Sequence, residues 1–538
     1  MQNKRIIVSF LVFFGILLSG CGQGDINNIG TGNKGGGGGT PPSSSKIELS
    51  ADCSGSDCGN NGNAYTGSGV GVWRAKNSGT SYASLNVALS NVANKEITVV
   101  FTNEGSTDVS LPSISVDTSL GKEINIEDDS KKIIHFEREF DFEQLLKRDF
   151  FANQNQRFRS ISPNYVIGNT KTWWMKPYEI FDGRATTLKK QITSSGRGIN
   201  FWVEDSEFAN NKVTDEMLDN IAGGFNDIYP DIVALAGEPW GTHQYSNLLI
   251  ESDQPLNIVL ANFDKDGEAY GVVGYFWNIN NFLDTNELPY KSNEALVLFV
   301  DTETLYLGNN GILDTLSTMA HELTHAIHFY QRSVVMEDSF DTFLNEMSAI
   351  MMEDILASKI DAYYNSVESR YHSWLRDKTY NCDFTYWKEG YYCDGKSVKN
   401  YDVAGSLGAF LLRQHGIDFY KNLFKTRSNT SGNERAKSLN ILDRSINGGL
   451  GRALQRWGAS IALFPQYTSP AGFGYPELNK EGFYLKAFDG NNIRKLPTSS
   501  PSTLKANGHF PFLRKTSGNT YTESFTVPPN VSVSVVVK

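Results

Sequence analysis

Between about Val70 and Val116, apolar residues recur at every second position in "ASLNVALSN", "EITVVFTNEG" and "SLPSISVD", with turn residues between the runs. That period belongs to strands, whose successive side chains point to opposite faces of a sheet. Short runs in this spacing predict an N-terminal β-sandwich. With the charged linking stretch behind it, which carries a helical pattern around Phe140–Phe150, this unit is assigned residues 70–165. From Val166 the character becomes α+β: "GINFWVED" and "LNIVLANFD" read as strands, and "TDEMLDNIAGGFNDIY" as a helix capped by Thr214. "ALVLFVDT", Ala295–Thr302, is a nearly continuous apolar strand, and this α+β domain is assigned 166–475. After Pro476 the strand pattern returns and ends in "FTVPPNVSVSVVVK", which predicts a small C-terminal β-domain over 476–538.

The start of the chain has another pattern. "MQNKR" is basic, and Ile6–Leu18 is an apolar run too short for a comfortable membrane span. It ends in Leu18-Ser19-Gly20-Cys21, which resembles the bacterial lipobox, so residues 1–20 are expected to be a signal peptide and Cys21 to be diacylated. The Gly, Ser and Asn-rich segment 21–69 is expected to be a flexible tether, because it has little apolar surface to bury. The expected location is the bacterial cell envelope, lipid-anchored, at the outer membrane or cell surface. Gly22 stands where some bacteria place the aspartate that retains lipoproteins at the inner membrane.

Composition narrows the classes. A net charge of −11 lacks the basic footprint that nucleic acid requires. Beyond Cys21 remain Cys53, Cys58, Cys382 and Cys393, an even number suited to an oxidising compartment. Proximity favours Cys53–Cys58 and Cys382–Cys393 among three connectivities; a four-thiolate metal site would want tight C-x-x-C pairs. "FDKDGEAYG", Phe263–Gly271, has the Asp-rich look of a calcium loop but lacks the EF-hand spacing and terminal glutamate. It reads as a hairpin turn, and calcium is not assigned.

The chemistry is concentrated in "DTLSTMAHELTHAIHFYQR", Asp314–Arg332. Leu313, Leu316, Met319, Leu323 and Ile327 recur at threes and fours, so the segment is helical. His321 and His325 then sit about 6 Å apart along the axis and roughly 40° around it, and both can reach one ion. Glu322 lies on the adjoining edge, near enough to act on a metal-bound water. A catalytic zinc needs three protein ligands and one open position. The next helical pattern, Ser339–Ser358, buries Phe343, Met347, Ile350, Met351 and Ile355, and Glu346 interrupts that apolar face. A carboxylate there is costly unless paired or bound to metal. Glu353, two turns on, is placed to orient a ligand histidine. His328 lies about 10 Å from His321 along the helix and reads as a packing or outer residue.

HExxH followed some twenty residues later by the glutamate of "FLNEMSAIMMED" resembles the gluzincin metallopeptidases. More narrowly, "HELTHAIHFYQR", together with "INFWVED", "GVVGYFW", "LFVDT" and "TFLNE", looks like the hyicolysin-like secreted zinc peptidases. The resemblance covers roughly Val166 to Pro476. It implies a thermolysin-like catalytic domain holding one Zn2+ on His321, His325 and Glu346, with Glu322 as the base. Met347 stands where many aminopeptidase-type relatives have glycine. The metzincin pattern would need glycine and histidine where this chain has His328 and Gln331. Tyr401, at the start of "NYDVAGSLGAFLLRQHG", resembles the Tyr-x-x-Gly/Ala helix start that carries a transition-state tyrosine in aminopeptidase-type gluzincins; Tyr392 and His372 are its reserves.

Two functions follow as expectations. One is a monomeric, surface-anchored zinc endopeptidase that hydrolyses extracellular proteins or peptides through a zinc-bound water activated by Glu322. The other is a lipoprotein adhesin with a degenerate peptidase fold. An aminopeptidase would carry a Gly-x-Met-Glu-Asn signature, which this chain does not have.

Overall fold

The computed structural model describes residues 45–117, 133–135, 164–249, 252–387, 398–464 and 469–538. The expected signal peptide, Cys21, the linker helix around Phe140–Phe150, Tyr392 and Cys393 lie outside the described residues.

The β-sandwich is assembled from both ends of the chain. One five-stranded sheet pairs Ala83–Ser90 with Thr520–Val527, antiparallel, in register from Ala83 opposite Val527 to Ser90 opposite Thr520. In the other five-stranded sheet, Val531–Val537 lies between Gly71–Lys76 and Glu96–Asn103, and His509–Lys515 flanks Glu96–Asn103 on its far side. Trp73, Leu85, Val87, Val99, Phe101, Phe512, Phe525, Val533 and Val535 fill the space between the sheets. The expected division into a sandwich at 70–165 and a separate β-domain at 476–538 is therefore corrected. Neither set of strands completes a core alone, since the C-terminal ones insert between the N-terminal ones.

Burial follows the two kinds of apolar pattern. Ala83–Ser90 alternates buried and exposed positions, whereas every residue of Glu96–Asn103 after Glu96 is buried. A strand that is apolar on both faces must be covered on both. Here the second cover is the helix Leu450–Ala459, packed close enough that a Cβ on Gly458 would meet His509 Nδ1 and Thr102 Oγ1 at 2.7 Å.

The tether expectation changes too, because strands begin at Ser45–Ile47 and the segment up to Gly69 is folded. Its composition still buries little. What orders it is the Cys53–Cys58 disulfide, with Cα atoms 5.5 Å apart, and a set of polar links. Val72 N–H donates to Asn60 Oδ1 at 2.8 Å, and Trp73 Nε1–H donates to the Gly62 carbonyl at 2.7 Å. Cys382 is also disulfide-bonded.

The rest of the chain is built on a seven-stranded sheet in the order Thr170–Met175, Asp182–Ser194, Arg197–Glu204, Leu256–Ala261, Val297–Asp301, Gly271–Phe276, Ile133–His135. Leu256–Ala261 and Val297–Asp301 run parallel and are buried throughout. Gly271–Phe276 runs antiparallel to Val297–Asp301, and Ile133–His135 pairs with its first residues, the last pair being Gly274 with His135. The helix Asp215–Ala236, capped by the Thr214 hydroxyl, contributes Phe225, Ile228 and Ile232 to the large core on one face. Trp173, Trp202, Val259, Tyr275 and Phe299 form the core of the other face. Among the described residues, no helix is long and apolar enough to cross a membrane.

Candidate metal centre

The motif helix, Gly311–His328, lies between the sheet and a second helix, Thr342–Ile360, so that every residue from Asp314 to His328 is buried. Its approach to the sheet depends on Gly274, where a Cβ would collide with Thr318 Cγ2 and come within 3.4 Å of Glu322 Cγ. The chain leaves the motif helix through a π-helical turn, Phe329–Met336, and restarts at Asp341, whose carboxylate caps Phe343 N. This return path sets the two helices side by side.

Three side chains converge between them. His321 Nε2 lies 3.2 Å from Glu346 Oε2, and His325 Nε2 lies 3.7 Å from Glu346 Oε1. One ligand atom from each of His321, His325 and Glu346 falls within 4.8 Å of the others. Behind each ring, Nδ1 is tied down: His321 to Glu353 Oε1 at 2.8 Å and His325 to Asn345 Oδ1 at 3.0 Å. An Nδ1–H that donates to a carboxylate or amide oxygen leaves the Nε2 lone pair facing forward.

The donor set fits a metal ion. Glu346 is fully buried, and neither of its oxygens makes a hydrogen bond of good geometry. Lone pairs aimed at one another in a dry site repel unless a cation sits among them. A proton can serve as a poor substitute. Burial by itself lowers the His321 imidazole, but the neighbouring carboxylates of Glu346 and Glu353 outweigh it and push it up to about 10. Burial pulls His325 down to about 4. Two nitrogens and one carboxylate match the protein share of a catalytic zinc site.

Glu322 projects beside this cluster. Its Oε2 accepts the Phe276 N–H at 2.8 Å, so the antiparallel strand holds the carboxylate in place. Burial raises Glu322 to about 8, with His321 pulling the other way. A carboxylate held beside the cluster is suited to exchanging protons with water or an amine.

Four groups around the centre are not apparent from the motif. Asn345 holds His325, and its signal is adjacency to Glu346 in "FLNE". Ser317 and Ser366 both donate to Glu353 Oε2, at 3.1 and 2.7 Å. Ser317 is one turn before His321 on the motif helix and could have been found by that spacing, whereas Ser366 belongs to another helix. The Phe276 amide is a backbone group placed only by strand order.

The remaining sequence candidates have partners of their own. Nε2 of His328 accepts Phe340 N–H at 2.9 Å, and the ring stacks on Phe340 at 4.8 Å, so it packs the turn. Tyr401 sits on the helix Val398–His415, edge-on to Trp387 at 4.7 Å, with the Arg370 guanidinium 5.3 Å over its ring. Burial raises the Glu353 carboxyl, but the His321 hydrogen bond and charge outweigh it, and Arg370 adds to the lowering. Gly405 and Gly408 on the same helix give it close approach to Ile350 and Met351. His372 Nε2 is 2.8 Å from the Asp489 carbonyl.

Known families agree with this geometry. Residues 182–538 match Peptidase M30, and residues 51–116 match a domain of unknown function, DUF8571. The border between the two falls across one sandwich, because strands of the first match pair with strands of the second. Among curated proteins none matches the chain. A match over the catalytic sheet, the motif helices and the C-terminal strands places the chain in the Peptidase M30 family, and it is a metallopeptidase.

Proposed function

We propose that the protein is a zinc endopeptidase acting on extracellular proteins or peptides, anchored at the bacterial cell envelope by a lipid on Cys21. The observation that carries the catalytic part is the convergence of His321 Nε2, His325 Nε2 and the buried Glu346 carboxylate within 4.8 Å. These three residues would hold the ion. The ion would supply Lewis acidity to the scissile carbonyl and to the attacking water.

The rest is the work of the chain. Glu353 and Asn345 hold the two imidazoles in the tautomer that faces the ion. Glu322, fixed through Oε2 by the Phe276 amide, takes the proton of the attacking water and delivers it to the leaving amine nitrogen. Tyr401 is the candidate donor to the developing oxyanion. The anchoring rests on the lipobox-like Leu18-Ser19-Gly20-Cys21, and the endopeptidase reading on the lack of an exopeptidase signature.

The test is metal analysis and proteolysis of wild type and Glu322→Gln. The variant should keep one zinc per chain and lose activity by several orders of magnitude. Near-normal cleavage by the variant refutes this mechanism. A wild-type chain that takes up no zinc would favour the adhesin reading instead.

A further inference from the structure

Away from the metal helices, the loop between Leu256–Ala261 and Gly271–Phe276 brings a second set of carboxylates together. Oxygens of Asp264, Asp266 and Glu303 lie within 4.8 Å of one another. The two aspartates are exposed, whereas Glu303, in the helix Thr302–Leu307, is 3% exposed. Among the described residues, none of the three is in an ion pair. The nearby cations are engaged elsewhere: Lys265 and Arg184 face Glu204, and Lys212 faces Glu207.

The buried glutamate supplies the independent observation. Glu303 Oε1 accepts the Gly267 amide at 3.1 Å and the Tyr306 hydroxyl at 3.3 Å. Its Oε2 is buried and makes no hydrogen bond of good geometry. A buried, unbonded carboxylate oxygen beside two more carboxylates is costly unless a cation meets it.

We propose that Asp264, Asp266 and Glu303 bind a calcium ion at the turn that leads into the strand Gly271–Phe276 of the catalytic sheet. The donors are all oxygen, which suits a hard cation and not zinc. Calcium accepts six to eight oxygens in irregular geometry, so three carboxylates on a solvent-facing turn can be completed by water and backbone carbonyls; magnesium demands a tighter octahedron. The loop's own sequence supplies two carboxylates, and the glutamate it lacks comes from Glu303, just after the strand Val297–Asp301. The site has a structural consequence as well. It would tie the start of Gly271–Phe276 to the helix Thr302–Leu307, and Phe276 holds Glu322.

The experiment is equilibrium dialysis of the full, zinc-loaded chain against radioactive calcium, with zinc content measured in parallel. Wild type should retain one calcium per chain, with Kd on the order of 10⁻⁴ M, in the range of extracellular modules. Asp264→Asn/Asp266→Asn should weaken binding at least tenfold at unchanged zinc content, as should Glu303→Gln. If Glu303→Gln does not fold, the double variant, which changes only exposed side chains, decides the matter. Calcium at about 5 mM should raise Tm by a few degrees in wild type and not in the double variant. The assignment is overturned if wild type binds no calcium saturably, if the variants bind like wild type, or if magnesium binds in preference. Because the readout is calcium occupancy, it is independent of the zinc mechanism.

Discussion

Glu353 is the most exacting test of how the centre is positioned. One oxygen accepts from His321 Nδ1 at 2.8 Å; the other takes Ser366 at 2.7 Å and Ser317 at 3.1 Å, and Glu353, His321 and Ser317 are buried. Glu353→Ala takes an acceptor from three groups at once, but not all are affected equally. The two hydroxyls are 3.2 Å apart and can pair with each other. The imidazole N–H loses its carboxylate acceptor, and a buried donor left unsatisfied costs about 1–3 kcal/mol. Taking about 2 kcal/mol as the penalty for holding His321 in its ligating orientation, zinc affinity should fall roughly thirtyfold, inside the 10–100-fold range for outer partners of metal ligands.

Glu353→Gln separates hydrogen bonding from charge. Its carbonyl can still accept from His321, and the serine hydroxyls can turn to accept from its amide, so the loss should be about tenfold or less. Competition with a chromogenic chelator at fixed pH measures both affinities. If Glu353 acts only by positioning, saturating zinc should restore most of kcat in both variants. Zinc affinity within twofold of wild type in Glu353→Ala would refute the reasoning. A glutamine variant weaker than the alanine one would show that the hydrogen-bond account is wrong.

Other perturbations probe the rest of the molecule. Tyr401→Phe should lower kcat by about 10²–10³ with KM and zinc content little changed if its hydroxyl stabilises the oxyanion; unchanged kcat removes it from the mechanism. His509, buried against Trp457 at 4.7 Å, is held down to about 3 by burial, well below its unfolded value near 6.5. The unfolded chain therefore takes the proton first, and stability should fall as pH drops below about 6.5, by up to about 1.4 kcal/mol per pH unit from this group. His509→Gln should flatten that slope in Tm measured between pH 7.5 and 5, and an unaltered slope would count against the assignment. Truncation after Ser502 removes the strands His509–Lys515, Thr520–Val527 and Val531–Val537 and should leave no soluble fold; a stable, active truncated peptidase would contradict the interleaved sandwich.

What could be read from the sequence depended on the distance over which the physics acts. The motif helix was legible because its requirement is local: two imidazoles four residues apart and an apolar stripe at helical spacing share one short segment. Glu346 was legible for a related reason, since a carboxylate amid Phe343, Met347 and Ile350 has few inexpensive explanations. Ser366 and the Phe276 amide left no such trace. A serine at the start of a helix ordinarily caps it, and a backbone amide has no letter in the sequence. The sandwich fell between these cases. Its strands were visible in the alternation, but alternation says which face of a strand is buried and not against which partner. Val533 and Phe101 are opposite one another in the sheet although most of the chain separates them. The same limit hid the completion of the Asp-rich turn. Read alone, "FDKDGEAYG" is a hairpin lacking its glutamate; the missing carboxylate arrives only because Val297–Asp301 lies between Leu256–Ala261 and Gly271–Phe276 in the sheet and delivers Glu303 to the mouth of the turn. Strand order thus decides which distant carboxylate can complete the turn, just as it decides which amide holds the Glu322 carboxylate.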